Sequence, residues 1–199
     1  MIHLKCKLIF HKGIESTEFL DSPQKIIDDL KNKIKWLHEV PIDDILEFIE
    51  EFGNSISATS NTSFASTSKH ISDFLSKSNL EREIKLALRG NHQILDNFVT
   101  LENGGNKLYH VQPRGLTVHW IAGNVDELGI FSIIQALITK NVSLIKAPSN
   151  YENLLKIINL LKNIKTKKLS GHDIVETLSI IYLEKDDKKN QTLISQEAD

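Results

Sequence analysis

The sequence contains few of the residues that build covalently linked or metal-stabilised folds. Its 199 residues include one cysteine, Cys6, together with four prolines and one methionine. A single cysteine excludes an internal disulfide and a cysteine-based metal site. The eight histidines show no metal-ligand spacing, so the sequence gives no reason to expect a bound metal. The chain is nevertheless long enough to bury a substantial hydrophobic core.

The chain also has little charge excess and no long apolar segment. Its 24 basic and 26 acidic residues give a formal net charge of -2, so we expect neither nucleic acid nor a strongly charged partner. The longest apolar run, residues 128–138, is interrupted by Ser132 and Gln135 and is too short to span a bilayer. The N-terminal residues include Lys and His where a signal peptide needs an apolar core. We therefore expect a cytoplasmic protein.

The first 103 residues have the pattern of a strand followed by helices. Strand-forming residues predict a strand over residues 2–10, and Ser22-Pro23 begins a helix whose apolar residues keep helical spacing to Leu37. Nine of the fifteen residues from 55 to 69 are Ser or Thr, which predicts a loop. Further helices are predicted over residues 43–52, 70–75 and 80–88, the last of them ended by Gly90.

From residue 104 onward, predicted strands alternate with predicted helices. The strands are expected over residues 107–112, 116–121, 142–145 and 178–183, and the helices over 128–138, 151–164 and 187–195. Their apolar runs are too continuous for a sheet with one exposed face, which favours a parallel sheet covered on both sides. We therefore expect an α/β fold. Residues 1–103 would form a strand and helical region, and residues 104–199 part of a doubly wound, Rossmann-like nucleotide-binding domain.

Two of the predicted strands end in small and polar residues, where ligands bind in open parallel sheets. Gly123 allows close backbone approach, and Asn124 offers a neutral donor suited to an oxyanion. Lys146 at the end of the next strand can reach a phosphate or ribose, and Ser149 can bind the same ligand. From spacing alone, Asn124 is better explained as the cap of the following helix. The alternatives are a solvated strand-end lysine for Lys146 and a helix cap for Ser149.

The order of these segments is similar to one known family. HWIAGNV, followed by Gly129, Ser132, QAL, TKN and IKAPS, resembles the LuxC-type acyl-CoA reductases, a branch of the aldehyde dehydrogenase superfamily. The resemblance is densest from Pro113 to Ser149. It implies a sheet of aldehyde dehydrogenase type and a reaction in which a cysteine attacks a fatty acyl thioester and releases coenzyme A. NADPH then reduces the acyl-enzyme to a fatty aldehyde, which related enzymes supply to bacterial luciferase.

The resemblance also implies roles for individual residues. Asn124 would hold the thioester or hemithioacetal oxygen, while Lys146 and Ser149 would face the adenosine ribose and its phosphate. Because Ser149 is neutral and Lys146 positive, we expect a preference for NADPH over NADH. The residues whose backbone would line the cofactor are Trp120, Ile121, Ala122 and Gly123.

In the family, the nucleophilic cysteine lies beyond the region that this chain covers. We interpret Cys6 as structural, because it lies in the N-terminal strand without a neighbouring base, and His119 as a hydrogen-bonded structural histidine. The chain is therefore expected to be the N-terminal part of a longer reductase, as a fragment, a truncated product or one half of a split enzyme. Two alternatives are a reductase of another activated acyl group, such as an acyl phosphate, and a non-catalytic remnant or binding module of the same fold.

The expected partners follow from the same interpretation. The substrate would be a fatty acyl-CoA or an acyl-enzyme. A partial doubly wound sheet leaves an unpaired strand and uncovered apolar surface, both of which favour association. We therefore expect a homo-oligomer or a complex with other fatty acid reductase subunits.

Overall fold

A computed structural model describes residues 6–58, 68–101, 104–122 and 126–199. The chain divides into two compact units, each of them discontinuous in sequence. The first unit comprises Met1–Glu39, Arg114–Asn163 and Gly171–Asp199, and the second comprises Val40–Pro113 and Ile164–Ser170.

The strands and helices are numbered in chain order. The strands are β1 (Cys6–His11), β2 (Ile14–Glu15), β3 (Phe19–Leu20), β4 (Val99–Thr100), β5 (Leu108–Tyr109), β6 (Leu116–Trp120), β7 (Val142–Lys146) and β8 (Leu178–Tyr182). The helices are α1 (Gln24–Lys31), α2 (Ile34–Glu39), α3 (Ile42–Ala58), α4 (Ser68–Leu75), α5 (Lys77–Leu88), α6 (Asp126–Ile138), α7 (Glu152–Asn163), α8 (Gly171–Val175) and α9 (Lys188–Glu197), with a 3₁₀ helix at His92–Leu95. Within the described ranges, none of these helices combines the length and apolar character needed to cross a membrane.

The first unit is built on one mixed sheet with the strand order β2-β1-β8-β7-β6, and β3 also pairs with β1. Strands β6, β7 and β8 are mutually parallel, which confirms the predicted α/β fold with a parallel portion. The first four residues of β7 and of β8 are all buried. Because successive side chains point to opposite faces of a sheet, these strands are covered on both faces.

Strand β1 is an antiparallel member of this sheet and pairs with β8. Lys7 lies opposite Tyr182, and His11 lies opposite Ser179. The sequence pattern predicts a strand here but does not predict its neighbour. Because β1 runs against β8, the beginning of β1 lies at the edge where the parallel strands end, and Lys7 therefore belongs to that edge.

The connection between β7 and β8 includes a short helix that the sequence analysis does not predict. α8 packs against α7 at Gly171, where an added Cβ would collide with the carbonyl oxygen of Leu161. A parallel pair of strands needs such a crossover, and it packs closely only because residue 171 is glycine.

Several predicted helix boundaries differ from those of the structure, and two of the differences have a clear cause. The single helix expected from Pro23 to Leu37 is divided into α1 and α2, with the break at Asn32, the C-cap residue of α1. Leu30 and Leu37 are buried on either side of that break, so their seven-residue spacing conceals it. The loop expected over residues 55–69 is helical to Ala58, because buried Ile56 continues the apolar face of α3. Residues 59–67 lie outside the described ranges.

The second unit is a group of helices with a small hairpin formed by β4 and β5. α3 packs against α4 at Gly53, where an added Cβ would come within 3.0 Å of the Leu75 Cβ. The helix α5 ends at Arg89, which adopts a left-handed conformation with φ of +55°. The cap predicted at Gly90 therefore lies one residue earlier, at Arg89.

The left-handed Arg89 gives a stability prediction. A left-handed conformation brings the Cβ close to the following carbonyl, and glycine avoids that cost. Replacing Arg89 with glycine is expected to raise the free energy of unfolding by about 0.5–1 kcal/mol in urea titrations. The control Arg82→Gly, in the body of the same helix, should lower it by about 1 kcal/mol. A loss of stability in Arg89→Gly would contradict the assigned cap.

Candidate functional site

The ends of β6 and β7 lie side by side at one edge of the sheet. Trp120 is the Cα partner of Lys146, and the Ile121 amide donates a 3.2 Å hydrogen bond to the Lys146 carbonyl. The Ala147 amide in turn donates to the Ile181 carbonyl at 2.8 Å, which fixes the end of β7 against β8. The structure thus brings Trp120 and Ile121 of one strand end next to Lys146 of the other.

The exposure of the β6 end differs from that of the strand interior. Trp120 is 49% exposed, Ala122 is exposed and Ile121 is half-buried, so this backbone is open to a ligand. Gly123 and Asn124 lie outside the described residues, and the roles expected for them stay predictions.

Gly129 in α6 explains how this helix approaches the end of β6. A Cβ added at Gly129 would lie 2.8 Å from the Ile121 Cδ1, closer than real side chains come. A larger residue at position 129 would therefore require the Ile121 side chain to move. The glycine of the sequence motif has a packing role next to the candidate site.

Lys146 and Ser149 both lie at this edge, in different environments. Lys146 is half-buried, and its Nζ lies 5.8 Å from the centre of the Tyr182 ring, within the range of a cation–π contact. Ser149 is exposed in the turn before α7. A cation and a neutral hydroxyl at the ends of parallel strands provide donors for a phosphate or a ribose.

The structure adds three residues that the sequence analysis does not identify. Tyr182 is the last residue of β8 and lies beside Lys146. Lys7, near the start of β1, is paired with Tyr182 and so lies at the same edge. The Lys7 Nζ donates a 2.9 Å hydrogen bond to the hydroxyl of Tyr151, which precedes α7. Tyr182 could have been found by searching the end of each predicted strand. Lys7 could not, because its position depends on the pairing of β1 with β8.

His119 forms a neutral polar link beneath the candidate site. Its Nδ1 lies 2.7 Å from the Ser132 Oγ in α6, and its Nε2 lies 3.1 Å from the Ser143 Oγ in β7. The side chain is 5% exposed, and burial lowers the pKa of His119 to about 4. The imidazole is therefore uncharged near pH 7 and joins the helix to two strands, as expected of a structural histidine.

This buried imidazole predicts a loss of stability in acid. The folded pKa of His119, about 4, lies below the ordinary histidine value of 6.5, so protons bind more tightly to the unfolded chain. The contribution of His119 to the free energy of unfolding is fully present above pH 6.5 and falls by about 3 kcal/mol as the pH decreases to 4. Between pH 6.5 and pH 4, the free energy of unfolding from urea titrations should decrease less for His119→Asn than for the wild type. The exposed control His70→Asn should retain the wild-type dependence, and identical curves for all three proteins would contradict the assignment.

Cys6 is unsuited to nucleophilic attack. Its side chain is fully buried in β1, and burial, followed by the charge of Asp187, raises the pKa of the Cys6 thiol to about 12. A thiolate is the reactive form of cysteine, and almost none forms here near neutral pH. The structure confirms the interpretation of Cys6 as structural.

The thiol of Cys6 should consequently be protected in the native protein. At pH 8 its reaction with a disulfide reagent should be on the order of 10³-fold slower in the folded chain than in urea, because burial suppresses the thiolate. Release of the coloured leaving group measures this rate directly. Cys6→Ser gives the blank, since the sequence has no second cysteine. Rapid labelling without unfolding would show that Cys6 is accessible.

A separate acidic cluster lies in the second unit. Possible ligand atoms of Asp43, Glu81 and His92 all lie within 4.8 Å of one another, a proximity that the histidine spacing does not predict. The Lys77 ammonium, however, lies 3.1 Å from Asp43 and 4.0 Å from Glu81. Burial alone would raise the pKa of Asp43, but the hydrogen bond and charge of Lys77 hold it below its usual value. We assign this cluster as an ion-pair network that joins α3, α5 and the 3₁₀ helix.

The fold and the strand-end residues define an α/β protein with a candidate ligand site at the carboxyl edge of its parallel strands. The chain belongs to the acyl-CoA reductase (LuxC) family, whose model matches residues 37–199. This match confirms the family resemblance. It includes β6, β7 and β8 with Lys146, whereas β1 with Lys7 lies before it.

Two curated relatives are similar to parts of the chain. A long-chain acyl-protein thioester reductase from Aliivibrio fischeri is 33% identical over 78 residues, covering 39% of this chain and 16% of that protein. Another protein of the same name, from Photorhabdus laumondii subsp. laumondii, is 31% identical over 98 residues, covering 47% of this chain and 18% of that protein. Each match thus spans less than a fifth of the relative.

Proposed function

We propose that this chain provides the NADPH-binding part of a reductase that converts a fatty acyl thioester into a fatty aldehyde. The observation that supports this most is the position of Lys146, adjacent to the open end of β6 within the segment matched by the family. The names of the two relatives support a thioester substrate, on coenzyme A or on a protein. We extend the proposal to a sheet of aldehyde dehydrogenase type.

The donors at the strand ends fit the chemistry of a phosphorylated dinucleotide. Lys146 is a cation that can bind the adenosine 2′-phosphate, and exposed Ser149 is a neutral donor that does not repel it. A carboxylate at position 149 would instead favour the free ribose hydroxyls of NADH. NADPH, when bound, supplies the hydride for reduction of the acyl group. The backbone of Trp120 to Ala122 would line it.

The remaining chemistry requires groups outside the described site. Asn124 is proposed to donate to the thioester oxygen as negative charge develops there. The nucleophile has to be a cysteine other than Cys6, because the buried Cys6 thiol remains protonated. We therefore propose that this chain alone binds cofactor but does not turn over acyl thioesters.

A second candidate is a non-catalytic binding module of the same fold. The burial of Cys6 favours it for the chain taken by itself, since no other thiol is present. The two candidates make different predictions for ligand binding. Specific binding of NADPH supports the reductase part, whereas a module without a cofactor site would bind neither NADPH nor NADH.

The open edge of β6 supports the expected association with other subunits. In the part of the chain that the structure describes, β6 is the last strand of the sheet, and only its first residue has an edge partner. The Asp199 amide donates to the Leu116 carbonyl, and the Leu116 amide donates to the Asp199 carboxylate. The backbone groups beyond Leu116 can pair with another strand. We propose that a second copy or another reductase subunit uses this edge.

The cofactor proposal is tested by measuring the affinity for NADPH and NADH through the fluorescence of the bound nicotinamide. Lys146→Ala is expected to weaken NADPH more than NADH by about 1.5–3 kcal/mol, the range for a hydrogen bond to a charged group. Ser149→Glu should shift the preference towards NADH, because its carboxylate repels the phosphate. The exposed control Lys189→Ala should retain both affinities. If Lys146→Ala loses the same affinity for NADPH and for NADH, Lys146 does not bind the 2′-phosphate.

A further inference from the structure

The N-terminal strand brings a second lysine to the edge that contains Lys146. Lys146 is paired with Ile181 of β8, and the next residue, Tyr182, is paired with Lys7 of β1. The two lysines therefore lie on strands separated only by β8, with backbones roughly 10 Å apart, which is two strand spacings. Direct cross-strand partners point to the same face of a sheet, so Lys7 points to the face of Tyr182 and Lys146 to the opposite face, that of Ile181. At the end of the strands, however, the Lys146 Nζ lies 5.8 Å from the centre of the Tyr182 ring, so the Lys146 ammonium reaches the side chain that is paired with Lys7.

The Lys7 ammonium is held next to the turn that contains Ser149. Its 2.9 Å hydrogen bond goes to the hydroxyl of Tyr151, two residues beyond Ser149. The same ammonium lies 5.4 Å from the centre of the Tyr151 ring. An ammonium group has three donors, so this hydrogen bond leaves two of them for a ligand. The contact with Tyr151 thus holds the Lys7 ammonium beside the residues that precede α7, where Ser149 also lies.

Neither lysine of this edge is neutralised by an acidic side chain. Within the described ranges, Lys7 and Lys146 form no ion pair with a carboxylate, and their polar contacts are to tyrosine. Other partly buried lysines of the first unit do pair with acids, as Lys31 does with Glu197. Two ammonium groups that, among the described residues, lack an ion-pair partner favour the binding of an anion at this edge.

We propose that Lys7 is a second phosphate-binding residue, acting with Lys146 on the 2′-phosphate of NADPH, and that Tyr151 positions it. This inference rests on the proposed function and adds a residue that lies before the family match, which begins at residue 37. In this proposal Lys7 contacts the 2′-phosphate and neither the nicotinamide nor the adenine. Its removal therefore weakens NADPH and leaves NADH almost unchanged.

The experiment measures the affinity of the whole chain for both cofactors after substitution of Lys7. Lys7→Met is expected to bind NADPH roughly tenfold more weakly, the loss of one charge-assisted hydrogen bond, with NADH changed less than about twofold. Lys7→Arg retains the charge and should recover most of the affinity. Tyr151→Phe, which keeps the ring but loses the hydroxyl, should give a smaller loss. Lys189→Met is the matched control on the exposed surface of α9.

The outcomes separate this inference from the proposed function. If Lys146→Ala loses NADPH affinity but Lys7→Met does not, the role of Lys7 is overturned and the cofactor site stands. If Lys7→Met loses NADPH and NADH equally and melts at a lower temperature, Lys7 only joins β1 to the residues before α7, and the inference is again overturned. Failure of the wild-type chain to bind NADPH would overturn both proposals. The inference is supported if Lys7→Met loses affinity for NADPH but not for NADH, and if Lys7→Arg retains the affinity for NADPH.

Discussion

The pairing of β1 with β8 is the interaction on which the first unit depends. Ile180 and Ile181 in β8 are fully buried, so water cannot satisfy their backbone amides and carbonyls. Strand β7 pairs with one side of β8 and β1 with the other. Without β1, buried polar groups of β8 would lose partners, and the same loss would remove Lys7 from the carboxyl edge. Stability and the charge of the candidate site thus have a common origin.

The link between α6 and the sheet beneath this edge is uncharged, while Lys7 and Lys146 place two cations at the edge itself. His119 satisfies both ring nitrogens with serine hydroxyls, so α6 is fixed to β6 and β7 without burial of a net charge. Lys146 and Lys7 keep their ammonium groups at tyrosines near the surface. A neutral hydrogen-bonded link thus underlies an edge that presents two ammonium groups.

The parts of the fold that could be predicted from sequence are those set by local pattern. The strands β6, β7 and β8 are short apolar runs between turns, and Lys146 follows such a run, so both the sheet and this edge residue were predictable. The partner of β1, the left-handed Arg89 and the break at Asn32 depend on contacts distant in sequence or on packing, which periodicity does not contain. Lys7 and Tyr151 were missed for the same reason.

The separation of β1 from its partner also sets an order of events during synthesis. His11 and Ser179 are 168 residues apart in the chain, so the ribosome completes β1 long before β8 exists. At ordinary rates of translation this delay is roughly 10–30 s. During that time the apolar side of β1 and the thiol of Cys6 lack the cover that β8 provides. The cysteine that the finished fold keeps unreactive therefore lacks this protection until β8 has been made.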